Sequence, residues 1–331
     1  MVYIYKKVAS EKVYYYLRTS ERKNGKVISK DVAYLGNNIE SVKKALGKLP
    51  KYKKDIEKSY RTIHLFLESN HFLEKAKKLK LKTNDFLEST LFEVEACKLH
   101  FTTVFKNFDS LTQEQMMNGF LIEYAVNTTS IEGNTITLKE AYNLLEDGLT
   151  PKGKTLREIY DLQNTKKVFE KLDFKKDISH DLIKNIHADL LENIDSRTEY
   201  RAKDIKIIHM KFKASSFYLV SKDLDLLIRW YKQNKKKMHS FVLAVLFHHK
   251  FEKIHPFFDG NGRTGRMLMN FILLKSNYPP LIIQNKHRFE YLDALNTADT
   301  PFINQTEKKD YKKLVQFAAT ELNETYWNNF L

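Results

Sequence analysis

The stretch His255-Pro256-Phe257-Phe258-Asp259-Gly260-Asn261-Gly262-Arg263-Thr264-Gly265-Arg266 lies between two segments, residues 238–254 and 263–275, that are apolar around most of their circumference. A helix without a polar face is a buried one, so this loop joins two central helices of a mainly α fold. Pro256 ends the first helix because its ring and missing N–H cannot continue the ladder. Gly260 and Gly262 bend the chain before the second. There Gly260, Asn261 and Gly262 offer successive backbone N–H groups as a concave nest at the positive end of the following helix, a place suited to phosphate. Arg263 and Arg266 occupy the first turn of that helix, where a cation opposes the dipole at a cost of about 0.3–1 kcal/mol each. Their i, i+3 spacing puts both guanidinium groups on one face, where they either grip neighbouring phosphoryl groups or pair with core carboxylates. Asp259 reads either as a magnesium ligand beside phosphate or as a turn residue. His255, ending the buried helix, is of the type that takes a proton from a hydroxyl near neutral pH, or else is a satisfied structural histidine.

Working outward, Thr137 with Glu140 makes a capping box before a helix that ends at Gly148–Gly153. Residues 155–172, 179–193 and 222–233 are further helix candidates, while Ile205 to Val220 has β-type residues and reads as a hairpin between helices. Near the start, 13–17 and 27–35 are rich in Val, Ile and Tyr and flank Asn24-Gly25, a tight-turn pair. The expected organisation is a β-rich basic unit at 1–50, a helical extension at 51–108 and a catalytic domain at 109–331, with no internal repeat.

The net charge is +15, with 22 Lys and Arg against 12 Asp and Glu in the first 100 residues and 34 against 29 in the remaining 231. The excess sits away from the loop, so charge alone does not identify the substrate. Together with Tyr14 to Tyr16 and Lys23 to Lys30, the basic N-terminal region reads as a nucleic-acid-binding module, a protein-docking unit or plain solvated surface. A mean hydropathy of −0.50, with no apolar run long enough to span a bilayer, argues against a membrane role. One cysteine, Cys97, makes neither an internal disulfide nor a cysteine zinc cage, which fits a cytoplasmic location. His248 and His249 are adjacent on a helix and diverge by about 100°, so they do not face one ion.

From His255 to Arg266 the segment resembles the Fic motif at every fixed position. The resemblance covers about residues 111–323 and implies a helical bundle that moves AMP from ATP to a protein Tyr, Ser or Thr hydroxyl. In its terms His255 is the general base and Asp259 holds Mg2+. Gly260, Asn261 and Gly262 hold phosphates, Arg263 and Arg266 grip the triphosphate, and Phe257 anchors the loop. Thr128-Thr129-Ser130-Ile131-Glu132-Gly133-Asn134 resembles the family's inhibitory motif, on a helix at about 117–133, with Thr128, Glu132 and Gly133 as its marks. Thr129 and Glu132 also satisfy capping-box spacing, but the Gly133-Asn134 that follows ends helices rather than starting them. As a switch, Glu132 pairs with Arg266 and removes a cation that the terminal phosphate needs. The hairpin corresponds to the family's target-aligning flap, here with Lys211, Phe212 and Lys213 at its tip in place of the usual proline-rich one, and lacking a glycine before Arg201. Tyr291 is either an adenine contact or a core tyrosine. The resemblance leaves open removal of AMP by the same parts, and relief of inhibition through a homodimer.

Overall fold

The computed structural model describes the chain except residues 1, 11, 24, 208–212, 299–302 and 305 and the side chain of Lys308. It divides into two compact units, residues 1–80 and residues 81–330.

The first unit begins with β1 (Val2–Ala9), β2 (Lys12–Lys23) and β3 (Lys26–Gly36), an antiparallel meander in the order β1-β2-β3. Gly25, at φ +76°, supplies the left-handed step of the turn between Lys23 and Lys26. Alternation puts Val2, Ile4, Tyr15, Leu17 and Leu35 on one face, where Ile39 and Val42 of α1 (Ile39–Leu46) and Ile63 and Leu67 of a later helix close the core. The short α2 (Lys53–Lys58) and the longer α3 (Tyr60–Lys77) complete the unit. No boundary falls at residue 50, because helices on both sides of it bury their apolar stripes against the same sheet.

The second unit is helical: α4 (Leu91–Thr103), α5 (Ser110–Ile131), α6 (Leu138–Asp147), α7 (Leu156–Glu170), α8 (His180–Leu190), α9 (Val220–Asn234), α10 (Ser240–Ile254), α11 (Asn261–Lys275), α12 (Arg288–Thr297) and α13 (Lys308–Asn329). It takes in α4, which the expected division at 108 leaves outside. On α4, His100 Nδ1 lies 2.7 Å from the Tyr326 hydroxyl of α13, and Phe101 packs 6.0 Å from Phe330. Capping boxes at Thr137/Glu140 and Thr155/Glu158 start α6 and α7, and the Ser179 hydroxyl starts α8 by accepting from the Leu182 amide. As the composition predicts, α10 is buried along nearly its whole length, from Phe241 to Glu252 and again at Ile254, and α11 from Arg263 to Leu273. Each fully buried Leu, Ile or Phe there contributes about 1.5–3 kcal/mol, which fixes the pair as the scaffold for the loop between them.

The expected hairpin at 205–220 is not what the described residues form. Phe217–Leu219 is a 3-10 turn leading into α9, and 204–207 and 213–216 carry no strand. At the feet of the segment sits Arg201, whose side chain is fully buried. It donates to the carbonyls of Lys203 (2.9 Å) and Ser215, taking up carbonyls at both feet of the segment, while the Phe217 amide donates to Asp204 Oδ1 at 2.8 Å. Lys211 and Phe212 lie outside the described residues, and Lys213 is exposed. Among the described residues no helix is long and apolar enough to cross a membrane.

Candidate active site

The chain leaves α10 through His255 in the left-handed conformation, φ 51° and ψ 62°, directly before Pro256. A non-glycine residue there is strained by roughly 1 kcal/mol or more. Two contacts hold it: the His255 amide donates to Phe251 O at 2.9 Å, and the His255 carbonyl accepts from Arg201 Nε at 2.8 Å. Pro256 O accepts from the Arg201 amide at 2.9 Å. Phe257, fully buried, stacks on His187 with ring centroids 3.5 Å apart. His187 Nε2 in turn donates to Asp259 O at 2.9 Å.

Asn261 then folds the loop on itself, its Oδ1 accepting from the Phe257 amide and its Nδ2 donating to the Phe257 carbonyl, each at 2.9 Å. Its side chain is thereby spent on the loop, and only its backbone N–H is left for an anion. Gly260 takes φ +74° as the residue before α11, so the first amides of that helix point outward into the cleft. His255, Asp259, Gly260, Asn261, Gly262 and Arg266 line this cleft, joined by Glu132 and Tyr291.

His255 Nδ1 lies 3.3 Å from Glu252 O. A carbonyl only accepts, so Nδ1 carries the hydrogen and Nε2 keeps a lone pair. Burial pushes the imidazole down to about 4, against a smaller upward pull from the Glu252 carbonyl and from Glu132. The ring is therefore neutral at pH 7, the state a proton acceptor needs. Burial alone raises the Asp259 carboxyl, but Arg263, the Gly260 amide and Arg157 outweigh it and hold the group below its ordinary value. It stays ionised, a third exposed, and paired with Arg157.

The two loop arginines part company. Arg266, 2% exposed, donates from Nε to Thr128 Oγ1 (2.7 Å) and from Nη2 to Thr128 O (3.0 Å) and Glu132 Oε1 (2.7 Å). Arg263, equally buried, turns to Asp161 of α7 and lies 3.6 Å from Asp259. The expectation that both forks share one face does not hold: side chains three apart on a helix differ by about 60°, and carboxylates on different neighbouring helices draw them apart. For Arg263 the core-carboxylate alternative describes the geometry.

Glu132 ends α5, and Gly133 at φ +104° breaks the helix there. No capping box forms at Thr129, whose hydroxyl donates backward to Ala125 O at 2.7 Å. The Glu132 carboxylate stands over the start of α11, where a Cβ built on Gly262 would lie 2.1 Å from its Oε1. Tyr291 lines the cleft but is 2% exposed, with its hydroxyl 2.6 Å from His248 Nε2 and 3.4 Å from Arg266 Nη1. His248 faces Tyr291 while His249 packs edge-on to Tyr311, the divergence expected of adjacent helical residues.

Sequence reasoning did not find Glu252, which lines the cleft, is 4% exposed and leaves its Oε1 without a hydrogen-bond partner. Burial raises its carboxyl to about 8, against an opposing pull from Arg266. Its place three residues before His255 was the available signal. Asp161, Arg157, His187 and Arg201 were also missed; their partners lie 54 to 102 residues away, beyond any local pattern.

Residues 177–273 match the model of the Fic/DOC family. Among curated relatives, the protein adenylyltransferase Fic of Aedes aegypti is 32% identical over 221 residues, covering 60% of this chain and 39% of that protein. The protein adenylyltransferase fic-1 of Caenorhabditis elegans is 29% identical over 210 residues, covering 60% of this chain and 41% of that one. The chain thus spans about two fifths of the length of these relatives. Among solved structures, a Fic-domain-containing signalling protein from Bacteroides thetaiotaomicron superposes with a TM-score of 0.65 at 22% identity, covering 72% of this chain and 95% of that one. A part of Fic-1 from C. elegans does so with a TM-score of 0.63 at 21% identity, covering 89% and 88%. At these identities the structural likeness is one of fold.

Proposed function

We propose that this chain, which carries a Fic domain, is a protein adenylyltransferase held in check by its own Glu132. The observation that carries the reading is the seat of that carboxylate, bonded to Arg266 and pressed over Gly262 at the positive end of α11. An anion already rests where the amides of the loop and the Arg266 guanidinium converge, which supports a polyphosphate as the natural occupant once the acid withdraws.

In the active state the hydroxyl oxygen of a protein Tyr, Ser or Thr attacks the α-phosphorus of ATP, the bond to the β-phosphate oxygen breaks, and pyrophosphate leaves. The hydroxyl proton passes to His255 Nε2, the lone pair that the Nδ1 contact with Glu252 O leaves available. The amides at the start of α11 and Arg266 take the charge of the leaving phosphates. Asp259, ionised and at the cleft wall, is the residue that would hold Mg2+, a hard cation that takes one or two carboxylates plus phosphate oxygens. When bound, the ion neutralises phosphate charge. Arg157 now occupies that carboxylate and must yield it.

Labelling with ATP carrying 32P at the α position tests the reading. Glu132→Gly labels a protein acceptor, itself or another in a lysate, more strongly than the parent, and adding His255→Ala removes the label. Mass spectrometry of the labelled peptide finds an adenylate increment. Equal labelling with and without His255 overturns the assignment, and steady release of AMP from labelled protein assigns the opposite direction of reaction.

A further inference from the structure

We propose that the solvent face of the N-terminal sheet is a platform for single-stranded nucleic acid. The inference goes beyond the chemistry of the Fic domain and does not depend on it. In the sheet, Tyr5 of β1 pairs in register with Tyr16 of β2, and Tyr16 with Tyr34 of β3. One tyrosine from each strand therefore stands in a row across the sheet, with neighbouring strands about 4.8 Å apart. The Tyr16 and Tyr34 rings are 5.4 Å apart, Tyr14 lies 6.5 Å from Tyr34, and the Arg18 guanidinium sits 3.6 Å above the Tyr5 ring. None of these rings belongs to the core, which Val2, Ile4, Tyr15, Leu17 and Leu35 build on the opposite face. Tyr34 is 56% exposed. An antiparallel sheet packed on one side ordinarily turns a polar face to water; this one turns aromatic rings.

Charge selects the occupant. The three strands carry eight Lys and Arg against two acidic residues, and one of those two, Asp31, is bonded to Arg18. The unit as a whole has 20 basic against 8 acidic residues in 80. Lys7, which pairs with Tyr14, and Lys12 and Arg22 of β2 are exposed and by register stand on the tyrosine face. Cations that follow a phosphate backbone beside π-faces that stack its bases are the recognition chemistry of unpaired strands. A duplex keeps its base faces hidden, and an anionic lipid surface or acidic peptide engages the lysines without needing the tyrosine row.

Fluorescence anisotropy of the full chain with fluorescein-labelled 15-mers of oligo-dT and oligo-rU, measured from about 50 to 300 mM salt, reads the prediction. Binding is expected in the micromolar range, with a log–log salt slope near −2 to −4, since each neutralised phosphate of a single strand contributes about 0.7. Tyr16→Thr with Tyr34→Thr, which keeps strand propensity, weakens binding about tenfold or more with the slope unchanged, whereas Lys7→Gln with Lys12→Gln flattens the slope by about 1. Photocrosslinking of the unaltered chain to 4-thiouridine oligomers, mapped by mass spectrometry, gives a readout that needs no variant and should find Tyr5, Tyr16 or Tyr34. The proposal is overturned by absent binding at the lowest salt, by equal affinity for a duplex of the same length, or by affinity indifferent to the tyrosines. Crosslinks confined elsewhere, or the same tyrosine dependence on phosphatidylserine vesicles with none on oligomers, overturn it equally.

Discussion

Replacing Glu132 by glutamine and by glycine separates two ways in which one side chain can keep nucleotide out. Its carboxylate lies 2.7 Å from Arg266 Nη2 and overhangs Gly262. A phosphoryl group held by the first amides of α11 would carry its charge about 5 Å away; at an effective dielectric near 20 two such charges repel by about 3 kcal/mol. The Glu132 side chain is 43% exposed, so solvent screening reduces this to about 1.5 kcal/mol, roughly tenfold in affinity. Glutamine preserves the shape and removes the charge, so it should bind magnesium ADP about tenfold more tightly than the parent. Glycine also vacates the volume and frees the Arg266 fork for phosphate, which adds a charge-assisted contact of about 1.5–3 kcal/mol and takes the total gain towards a hundredfold or more. Titration calorimetry measures both, and α-32P labelling should follow the same order, glycine above glutamine above parent. Affinities of all three proteins within twofold of one another would refute the reasoning, because neither charge nor volume at Glu132 would then oppose the ligand.

His255→Ala in the Glu132→Gly background should cut AMP transfer by about a thousandfold while nucleotide affinity stays within threefold, as expected for a group that acts on the proton and not on the phosphates. Since burial holds the His255 imidazole at about 4, the base stays unprotonated well below neutrality. Removing Glu132, whose charge raises that value, lowers it further, so transfer should show no histidine limb between pH 8 and 5.5, and a half-fall at pH 6.5 would contradict the burial argument. Glu252 titrates in the opposite sense: its carboxyl is raised from 4.5 to about 8, so its contribution to stability is fully present below pH 4.5 and lost as pH rises towards 8, a difference on the order of several kcal/mol. Thermal melts of Glu252→Gln should therefore exceed the parent by several degrees at pH 8.5 and match it at pH 4.5; a pH-independent difference would count against a buried acid. Manganese bound in the presence of ADP, read by electron paramagnetic resonance, should weaken tenfold or more in Asp259→Asn and strengthen two- to threefold in Arg157→Ala, whose ion pair with Asp259 is more than half exposed on the arginine side and correspondingly modest. Unchanged binding in both would remove Asp259 from the metal site.

The elements readable from sequence are those whose causes are local. A capping box located the start of α6, and the helix candidates at 155–172 and 179–193 began within a residue of α7 and α8. The missing polar face of α10 and α11 announced their burial, and Asn24-Gly25 announced the turn before β3. The loop was legible because its glycines, its proline and its misplaced cations each break a local rule. What escaped depends on partners far along the chain. Arg263 follows a rule of spacing until Asp161, 102 residues earlier, claims it. The β-type residues after Ile205 form no strand among the described residues, and the buried Arg201 that ties the two feet of that segment together was not legible from any local pattern. The strand Val2–Ala9 has its own alternation, yet only its register with β2 reveals the row of tyrosines.

Asn261 clasps both backbone groups of Phe257, and that closed ring bears on the thermodynamics of ligand uptake. A mould already set at folding has little disorder left to surrender when nucleotide arrives, so association should bury little additional apolar surface and show a small heat-capacity change. Differences among variants would then appear as enthalpy that varies with ionic strength, and that enthalpy would stay nearly constant as the protein is warmed over its folded range.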